Sequence, residues 1–397
     1  MIPSIRDLDV AGRRLVVRAD LNVPMQDGQI TDTTRIDRFA AGMRPLLKEG
    51  AALVILSHFG RPNGQADAAF SLSPVRAALE AALQTSVSFA ALERAETAAA
   101  TLCPGSVLLV ENLRFDPGEE TNCPALARRL AALGEIYVND AFSCAHRSHA
   151  STEAIARLLP SAAGPLMAEE LTALRAALDA PSRPSVAIVG GSKVSSKIAV
   201  LRHLVGRVDH LIIGGGMANT FLFAQGVAVG KSLHEKDQTE TVNEVLRLAS
   251  ASGCTIHLPS DVVVAREFRA DAPAEFARTD ACPGDAMILD AGPHSVAAFQ
   301  AVVDGAQTIL WNGPLGAFEL NPFHMGTVLL ARHAARRVRA GKAVAVAGGG
   351  DTVAALNTAG VTADFTYVST AGGAFLEWLE GRELPGIAAL KRQSERV

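Results

Sequence analysis

Short, continuous apolar runs recur along the chain, and most of them end in glycine or in a cluster of polar residues. Continuous rather than alternating runs predict strands that are buried on both faces of a parallel sheet. The segments between them repeat Ala, Leu, Arg and Glu at helical spacing, as in 74–83, 123–133 and 327–340, and this alternation predicts an α/β fold. The predicted strands cover 15–17, 52–56, 107–110, 136–138, 186–189, 210–213, 256–258, 286–289, 308–310, 343–347 and 365–368.

The pattern divides near Gly164. Four predicted strands precede this residue and seven follow it, and the helical pattern of 167–178 gives way to a helix-breaking stretch at 180–184. We therefore expect two Rossmann-like lobes, each a parallel sheet flanked by helices, joined by a connector helix at about 167–179. The predicted domains are residues 1–166 and 167–383. A stretch poor in strand signal, 231–252, is predicted to be helical.

Composition narrows the class of protein. The 397 residues are 49% apolar but only 5% aromatic, so Ala, Val, Leu and Ile must fill the cores. A net charge of −4 without long runs of one sign argues against a dedicated nucleic-acid-binding or membrane-surface protein. The N-terminus lacks a signal-peptide pattern, and no apolar stretch reaches 18 residues. The five cysteines form no C-x-x-C motif, so we expect free thiols in a reducing cytoplasm.

Arginines follow the predicted strands of the first half. Ligands of doubly wound sheets bind beyond the carboxyl ends of the strands, so Arg61, Arg114 and Arg147 are expected to converge there. His58 belongs to the same set, and Arg35 is a further candidate at the start of a helix opened by a Thr or Asp cap. Clustered guanidinium groups suit a multivalent anion with carboxylate or phosphate oxygens. Any single one of them could instead be a surface residue or the ion-pair partner of a nearby carboxylate.

Asp20 and Asn22, which follow the first strand, are expected to hydrogen-bond a substrate hydroxyl. His146 and His149 lie three residues apart, but no third ligand with zinc spacing accompanies them.

Glycine-rich turns follow the strands of the second half, at 190–193, 214–217, 348–352 and 371–374. Glycine lets backbone N–H groups approach phosphate oxygens at the start of a helix. Several such turns together predict a nucleotide site, although the common nucleotide motifs are absent. Asn219 breaks the dinucleotide fingerprint, and the segment 226–232 is one residue short of a phosphate-binding P-loop.

Lysine is scarce, with seven residues against thirty arginines, and two of the seven are Lys193 and Lys197. Their spacing predicts one face at the start of a helix, where two cations are unfavourable unless an anion offsets them. Asp351 has two readings that the sequence leaves open, as a helix cap or as a ligand of Mg²⁺ beside a polyphosphate.

Nine sequence strings lie in order along nearly the whole chain: RADLNVP (18–24), SHFGRP (57–62), ENLRF (111–115), VNDAFSCAHRSHAST (138–152), GGSKVSSK (190–197), GGGMANTF (214–221), WNGPLGAFE (311–319), GGGDT (348–352) and STAGGA (369–374). Together they resemble the phosphoglycerate kinase family.

The resemblance implies an acyl-phosphate site on the first lobe and a Mg-nucleotide site on the second. The residues that it assigns to 3-phosphoglycerate or its bisphosphate are Asp20, Asn22, Arg35, His58, Arg61, Arg114 and Arg147. Those that it assigns to ATP or ADP are Gly191, Lys193, Lys197, Gly214, Gly215, Asn312, Glu319 (on the ribose), Gly349, Gly350, Asp351 (also for Mg²⁺) and Thr352. Arg35, Lys193, Gly349 and Gly373 are its implied catalytic residues.

The family resemblance also implies a monomeric cytoplasmic enzyme without nucleic-acid or membrane partners, whose last residues, 384–397, pack on the first lobe. Two positions depart from the family pattern. Ser143-Cys144 stands where the family usually has Gly-Thr, and Ala371 stands where it usually has glycine, so the turn at Ala371 must use an ordinary backbone conformation. Two rival functions remain at this level: a nucleotide-dependent enzyme of another class, such as a dehydrogenase, and a catalytically silent binding protein.

Overall fold

The structure is a computed structural model that describes residues 2–393. The described residues fall into two compact units. The first contains the chain up to Leu171 together with the segment from Glu383 onward, and the second contains the residues from Thr172 to Arg382.

A parallel sheet with helices around it forms the first unit. The strand order is β5-β6-β4-β1-β7-β8, and β1 pairs in parallel with β4 on one side and β7 on the other. The strands are β1 (Arg14–Arg18), β2 (Met25–Gln26), β3 (Gln29–Ile30), β4 (Ala52–Leu56), β5 (Val87–Ala90), β6 (Val107–Val110), β7 (Ile136–Asn139) and β8 (Ser161–Ala163). The helices are α1 (Thr34–Lys48), α2 (Ser73–Leu83), α3 (Ala95–Ala100), α4 (Pro124–Ala131) and α5 (Pro165–Leu174), which a π-helical turn (Arg175–Asp179) continues.

Continuous apolar strands and amphipathic helices explain this layer structure. All five residues of β4 are buried, as a strand covered by helices on both faces requires. Helix α1 turns Ile36, Phe39 and Met43 toward the core, where they pack with residues of β1 and β4. Burying one such side chain contributes about 1.5–3 kcal/mol, so the sheet and its helices are mutually dependent.

A second six-stranded parallel sheet forms the second unit, with the order β11-β10-β9-β15-β16-β17. The strands of this unit are β9 (Ser185–Val189), β10 (His210–Ile213), β11 (Thr255–His257), β12 (Asp261–Ala265), β13 (Glu275–Arg278), β14 (Met287–Ala291), β15 (Thr308–Asn312), β16 (Val344–Gly348) and β17 (Tyr367–Ser369). The helices are α6 (Ile198–Leu204), α7 (Gly215–Ala224), α8 (Thr239–Ser252), α9 (Pro293–Gly305), α10 (Met325–Arg339), α11 (Gly350–Ala359) and α12 (Gly373–Leu379).

The last helix, α13 (Pro385–Gln393), belongs to the first unit, where the Gly386 N–H donates to the Ala145 carbonyl at 2.9 Å. The predicted tail of 384–397 therefore lies partly in α13, and its residues 394–397 lie outside the described part of the chain.

The fold-class prediction is confirmed, because all eleven predicted runs contain a strand and two parallel sheets are flanked by helices. For one predicted strand, the predicted parallel pairing is wrong. The segment 286–289 was expected to be parallel, but β14 pairs antiparallel with β12 in a separate three-stranded sheet, β13-β12-β14. This sheet leaves Phe276 largely exposed on the edge strand β13, so burial on both faces does not extend to it. The stretch 231–252 is helical mainly in α8, and α8 begins only at Thr239.

No helix between residues 2 and 393 is both long enough and apolar enough to cross a membrane. The five cysteines are free thiols.

Candidate active site

Each parallel sheet has one point where the strand order reverses direction along the chain. In the first sheet it lies between β1 and β7, and in the second between β9 and β15. Crevices at such switch points are the usual ligand sites of doubly wound folds. Part of the predicted site follows these four strands, and the rest follows the neighbouring strands β4, β6, β10, β16 and β17.

Asp20 and Arg35 form an ion pair at the end of β1. The Arg35 Nη1 donates to Asp20 Oδ2 at 2.7 Å and to the Asn22 carbonyl at 3.1 Å, and the Arg35 side chain is partly exposed. Asn22 accepts from the Gly60 N–H through its Oδ1 at 3.1 Å. The helix that carries Arg35 starts where predicted, and the Asp32 carboxylate accepts from the Thr34 N–H at 2.8 Å. These contacts bring three predicted substrate residues together.

The three post-strand arginines occupy different environments. Arg114 is buried, donating to the Gly60 carbonyl at 2.6 Å and pairing through Nε with Glu120 at 3.1 Å. Arg147 is half-buried and close enough to Arg114 for their charges to interact, so the pKa of Arg114 falls through burial and through Arg147. Arg61 is exposed. Arg114 and Arg147 therefore share one electropositive pocket.

His58 is buried beside a further cation, Arg18, which was not among the predicted site residues. Arg18, only 1% exposed at the end of β1, brings its Nη2 within 3.1 Å of His58 Nδ1. A guanidinium group can only donate, so Nδ1 must accept and the ring proton lies on Nε2. Burial lowers the pKa of His58 well below its usual value, and the charges of Arg18 and Arg114 add to this effect. The imidazole therefore stays neutral in the pocket.

Arg18 is itself held by a buried chain of hydrogen bonds. Its Nε donates to Ser151 Oγ at 2.8 Å, and Ser151 Oγ donates to Glu119 Oε1 at 2.5 Å. Burial raises the pKa of Glu119, while the charge of Arg18 opposes that rise. A buried guanidinium and a buried carboxyl are thus joined through one hydroxyl beside the electropositive pocket. The signal that could have found Arg18 is a basic residue directly at the end of an apolar run.

We expect Arg18→Met to lower the free energy of unfolding by about 3–5 kcal/mol, because it leaves the buried Glu119 without its cation. The double variant Arg18→Met/Glu119→Gln should recover part of this loss, since the unpaired charge is gone. Urea unfolding of the three proteins measures both effects. Equal stability of the single variant and the starting protein would contradict the assignment of Arg18 and Glu119 as a coupled pair.

His149 shares the environment of His58. Burial, followed by the charges of Arg18 and Arg114, lowers the pKa of His149 to about 3. Within residues 2–393, no group of three or more His, Cys, Asp or Glu side chains is arranged to hold a metal ion. The histidines therefore add neutral hydrogen-bonding groups to the pocket.

The second switch point lies under the glycine turn that follows β9. Lys193 and Lys197 were expected on one face of a helix, and this is wrong, because α6 begins only at Ile198. Both lysines lie in the preceding turn, where Gly191 takes φ +145°. Lys193 is exposed, whereas Lys197 folds back into the sheet edge. Lys193 is therefore exposed to solvent and Lys197 is largely withdrawn from it.

Lys197 is bound by three oxygen atoms of the switch point. Its Nζ donates to the Gly190 carbonyl at 2.6 Å, to the Asn312 carbonyl at 3.0 Å and to Asn312 Oδ1 at 2.7 Å. These bonds use all three donors of an ammonium group. Burial lowers the pKa of Lys197 to about 8, and the negative charge of Asp351 partly opposes this.

We expect nucleotide affinity to fall as the pH rises above about 8. Phosphates bound beside Lys197, as the sequence predicts, would favour its charged form, so above pH 8 binding would take up the proton that the free protein has lost. The dissociation constant of MgADP should then rise by up to about tenfold per pH unit. Calorimetric titrations in buffers of different ionisation enthalpy measure the proton uptake directly. Lys197→Met should bind weakly and without this pH dependence, and the same pH dependence in that variant would exclude Lys197 as its source.

The glycine turns bring backbone segments into close contact. A Cβ on Gly215 would lie 2.7 Å from the Gly191 carbonyl oxygen, and one on Gly214 would lie 2.6 Å from the Leu315 Cα. Helix α7 begins at Gly215, whose N–H donates to the Leu315 carbonyl at 2.7 Å, and the Met217 N–H donates to the Gly191 carbonyl at 3.1 Å. Bulkier residues at these positions would separate the turns that form the site.

The turn before α11 is tied to the end of β15. Gly349 has φ +98°, and a Cβ there would lie 2.8 Å from Asn312 Nδ2. Asn312 Nδ2 donates to the Gly348 carbonyl at 2.8 Å, and buried Thr352 accepts from the Gly313 N–H at 2.7 Å. Asn312 thus links Lys197 to this turn.

A cavity of about 540 Å³ opens beside these turns in the second unit. Gly191, Gly215, Glu319 and Asp351 are among its lining residues. Asp351 is the second residue of α11 and makes no capping bond, because Gly349 precedes the helix. Its carboxylate is exposed at the cavity.

Another part of the cavity lining comes from in and around the antiparallel sheet, and it was not among the predicted site residues. Phe268, Met287 and Leu289 are part of this lining, and Phe268 is 65% exposed. An exposed phenylalanine in a glycine-lined cavity offers a flat apolar surface to a planar ring. The segment carrying it has no phosphate-type motif, so its spatial position was the missing information.

The last glycine turn follows β17. Gly350 and Gly373 are the first residues of α11 and α12, and both helices therefore begin with glycine. The conformation predicted for Ala371 is confirmed, because Gly372 takes the positive φ, +57°, and Ala371 takes none. Ala371 is instead buried.

Comparison with known proteins gives consistent matches over the whole chain. The phosphoglycerate kinase family model matches residues 5–382. A phosphoglycerate kinase of Cereibacter sphaeroides is 59% identical over 391 residues, and the match covers 98% of each chain. One of Methylorubrum extorquens is 57% identical over 397 residues, covering 98% of this chain and 99% of the relative.

Two solved structures extend the match to the fold. The phosphoglycerate kinase from Coxiella burnetii has a TM-score of 0.94 at 41% identity, and that from Pyrococcus horikoshii has 0.81 at 28%, each over the full length of both chains. The resemblance in the sequence motifs is thereby confirmed. The chain belongs to the phosphoglycerate kinase family.

Proposed function

We propose that the chain catalyses the reversible transfer of a phosphoryl group from 1,3-bisphosphoglycerate to ADP, giving 3-phosphoglycerate and ATP. The observation that carries this proposal is the division of the chemistry between the two units. The electropositive pocket of Arg114 and Arg147 follows β6 and β7, and a glycine-lined cavity with an adjacent lysine lies at the ends of β9 and β15. One suits a small polyanion and the other a nucleotide.

In the first unit, the carboxylate and phosphate of 3-phosphoglycerate are proposed to bind the arginine pocket. Asp20 and Asn22 hold its hydroxyl, while neutral His58 donates from Nε2. The remaining proposed substrate residues are the cations Arg35, Arg61, Arg114 and Arg147.

In the second unit, the nucleotide is proposed to occupy the cavity, with its base near Gly191, Gly214 and Gly215 and its ribose on Glu319. Its phosphates lie toward Lys197 and the start of α11, where free N–H groups and the helix dipole favour anions. The further proposed contacts are Lys193, Asn312, Gly349, Gly350, Asp351 and Thr352.

Mg²⁺ is proposed to enter as part of the nucleotide complex. Mg²⁺ on nucleotides is commonly held by one or two carboxylates together with phosphate oxygens. Asp351, an exposed carboxylate at the cavity whose charge reaches Lys197, fits this requirement. When bound, the ion neutralises charge on the phosphates.

Catalysis in this proposal is positioning and charge stabilisation. The acceptor in the ATP-consuming direction is a carboxylate, already ionised at neutral pH, so no general base is required. Arg35 and Lys193 flank the transferred group and balance the charge on its oxygens, and the turns at Gly349 and Gly373 add backbone N–H donors. Because the substrates are assigned to different units, transfer requires a hinge-bending motion that brings them into line.

A coupled assay tests the proposal: 3-phosphoglycerate-dependent consumption of ATP, followed through reduction of the 1,3-bisphosphoglycerate formed. Activity that requires 3-phosphoglycerate, ATP and Mg²⁺ together is expected. Absence of turnover would favour a silent binding protein. A titration with NADH tests the alternative of a dehydrogenase, which should bind NADH tightly.

We further propose that the protein is a cytoplasmic monomer. Size-exclusion chromatography with light scattering should then give a mass near 41.4 kDa.

A further inference from the structure

We propose that Ser143 is a positioning residue for the substrate hydroxyl, acting through Asp20 and thereby setting the specificity of the pocket for a hydroxylated acid. This inference rests on the proposed function, and it adds a residue to which the motifs assign no chemical role. Ser143 lies in a short 3-10 turn, Phe142–Cys144, that follows β7 at the switch point of the first sheet.

Ser143 makes the shortest contact to the Asp20 carboxylate. Its Oγ lies 2.5 Å from Asp20 Oδ2, the same oxygen that receives the Arg35 Nη1 at 2.7 Å. An ionised carboxylate can only accept, so the serine hydroxyl must donate to it. The Cys144 Sγ lies 3.8 Å from Ser143 Oγ, and its thiol is then the donor in that weak contact. The hydroxyl hydrogen of Ser143 is therefore directed at Asp20.

The donors around Asp20 define where a substrate hydroxyl can bind. A carboxylate offers about two acceptor positions on each oxygen. Oδ2 has both filled, by Arg35 and Ser143, and Oδ1 accepts the Asn22 N–H at 3.2 Å. One position on Oδ1 remains for a further donor. A hydroxyl group of the substrate can donate there, whereas a phosphate or carboxylate oxygen cannot.

Ser143 also holds Asp20 independently of Arg35. Both hydrogen bonds of Arg35 come from Nη1, to Asp20 and to the Asn22 carbonyl, so any movement of Arg35 toward a transferred group would break its bond to Asp20. Without Ser143, the carboxylate would then keep only the Asn22 N–H bond. With it, the orientation of Asp20 persists, and Oδ1 still faces the same donor position. The serine thereby separates substrate recognition from the movement of Arg35.

The test compares 3-phosphoglycerate with its deoxy analogue, 3-phosphopropionate, which keeps both anionic groups and lacks the hydroxyl. A site built around a hydroxyl discriminates strongly against an analogue without it. We expect Ser143→Ala to lower the ratio of the two kcat/KM values by about tenfold, the usual effect of one hydrogen bond to a charged group. The loss should come mainly through the KM for 3-phosphoglycerate, with the KM for ATP unchanged.

Ser143→Thr keeps the hydroxyl and should restore the ratio of the two kcat/KM values. Ser143→Gly also removes the hydroxyl and should lower this ratio, and it takes the place of Ser143→Ala if the alanine variant does not fold. Ser73→Ala, at an exposed serine of the same unit, is the matched control. An unchanged ratio in both Ser143→Ala and Ser143→Gly would overturn the inference while leaving the proposed reaction intact. Failure of the unmodified protein to use 3-phosphoglycerate would instead overturn the proposed reaction.

Discussion

Arg35→Ala should lower kcat by about a thousandfold or more while leaving the dissociation constant of MgADP nearly unchanged. Arginines that balance charge on a transferring phosphoryl group contribute about 10³–10⁵-fold to turnover. Arg35 is suited to this role because its guanidinium is partly exposed and is held by Asp20 and the Asn22 carbonyl through one nitrogen. The effect of Arg35→Ala on 3-phosphoglycerate binding should be smaller than its effect on kcat, since Arg114 and Arg147 remain to hold the anion.

The matched control for Arg35 is Arg38, one turn further along α1. Arg38 pairs with Glu169 at 3.2 Å, with side chains that are 37% and 53% exposed, and ion pairs in contact with solvent contribute about 0–1 kcal/mol. Arg38→Ala should therefore keep normal turnover. Steady-state kinetics in the 3-phosphoglycerate-dependent direction, with calorimetry for MgADP, measure both variants. Near-normal kcat in Arg35→Ala would remove Arg35 from the reacting centre.

The sequence predicted the parallel strands because their apolar runs are continuous and end in glycine or polar clusters. It missed two parallel strands: β5, Val87–Ala90, where Ser88 interrupts the apolar run, and β8, Ser161–Ala163, where small residues give no apolar signal although all three are buried. It also assigned 286–289 to a parallel sheet. The apolar run of β14 is the same as that of a buried parallel strand, and only its pairing with β12 shows the antiparallel arrangement.

The same limit applies to the residues of the candidate site: those that follow a recognisable strand could be predicted, and those brought in by long-range pairing could not. The sequence could predict Arg114 and Arg147 because each follows a recognisable strand. It did not predict Arg18, which is the last residue of β1 and meets His58 only through the pairing of β1 with β4. Long-range pairing also decides the environment of Ser143, whose hydroxyl reaches Asp20 across 123 positions of the chain.

The spacing argument failed for the lysines for a related physical reason. Helical periodicity assumes that the helix has already begun, but the turn after β9 continues to Lys197. Within that turn, three oxygen acceptors at the sheet edge satisfy Lys197 better than an exposed helical face would. Lys193 has no comparable burial and stays in solvent.

Lys197→Met should weaken MgADP binding by about a hundredfold or more and lower kcat as well. The change removes the cation from the switch point, and it also leaves the Gly190 carbonyl, the Asn312 carbonyl and Asn312 Oδ1 without their donor. Removing one partner from a buried, charged hydrogen-bond group costs about 2–5 kcal/mol in binding. Asn312 also supports the Gly349 turn, so the loss should extend to the start of α11.

Lys197→Arg should restore little of this function, although it keeps the charge. The three acceptors around Lys197 match the three donors of a compact ammonium group, whereas a planar guanidinium is larger and directs its donors in a fork. Lys342→Met, at an exposed lysine of the same unit, should bind MgADP normally. Calorimetric titration of the three variants, with thermal unfolding to confirm intact folding, decides the matter. Tight binding by a folded Lys197→Met protein would show that the nucleotide phosphates are held without this residue, and that the three bonds serve the turn alone.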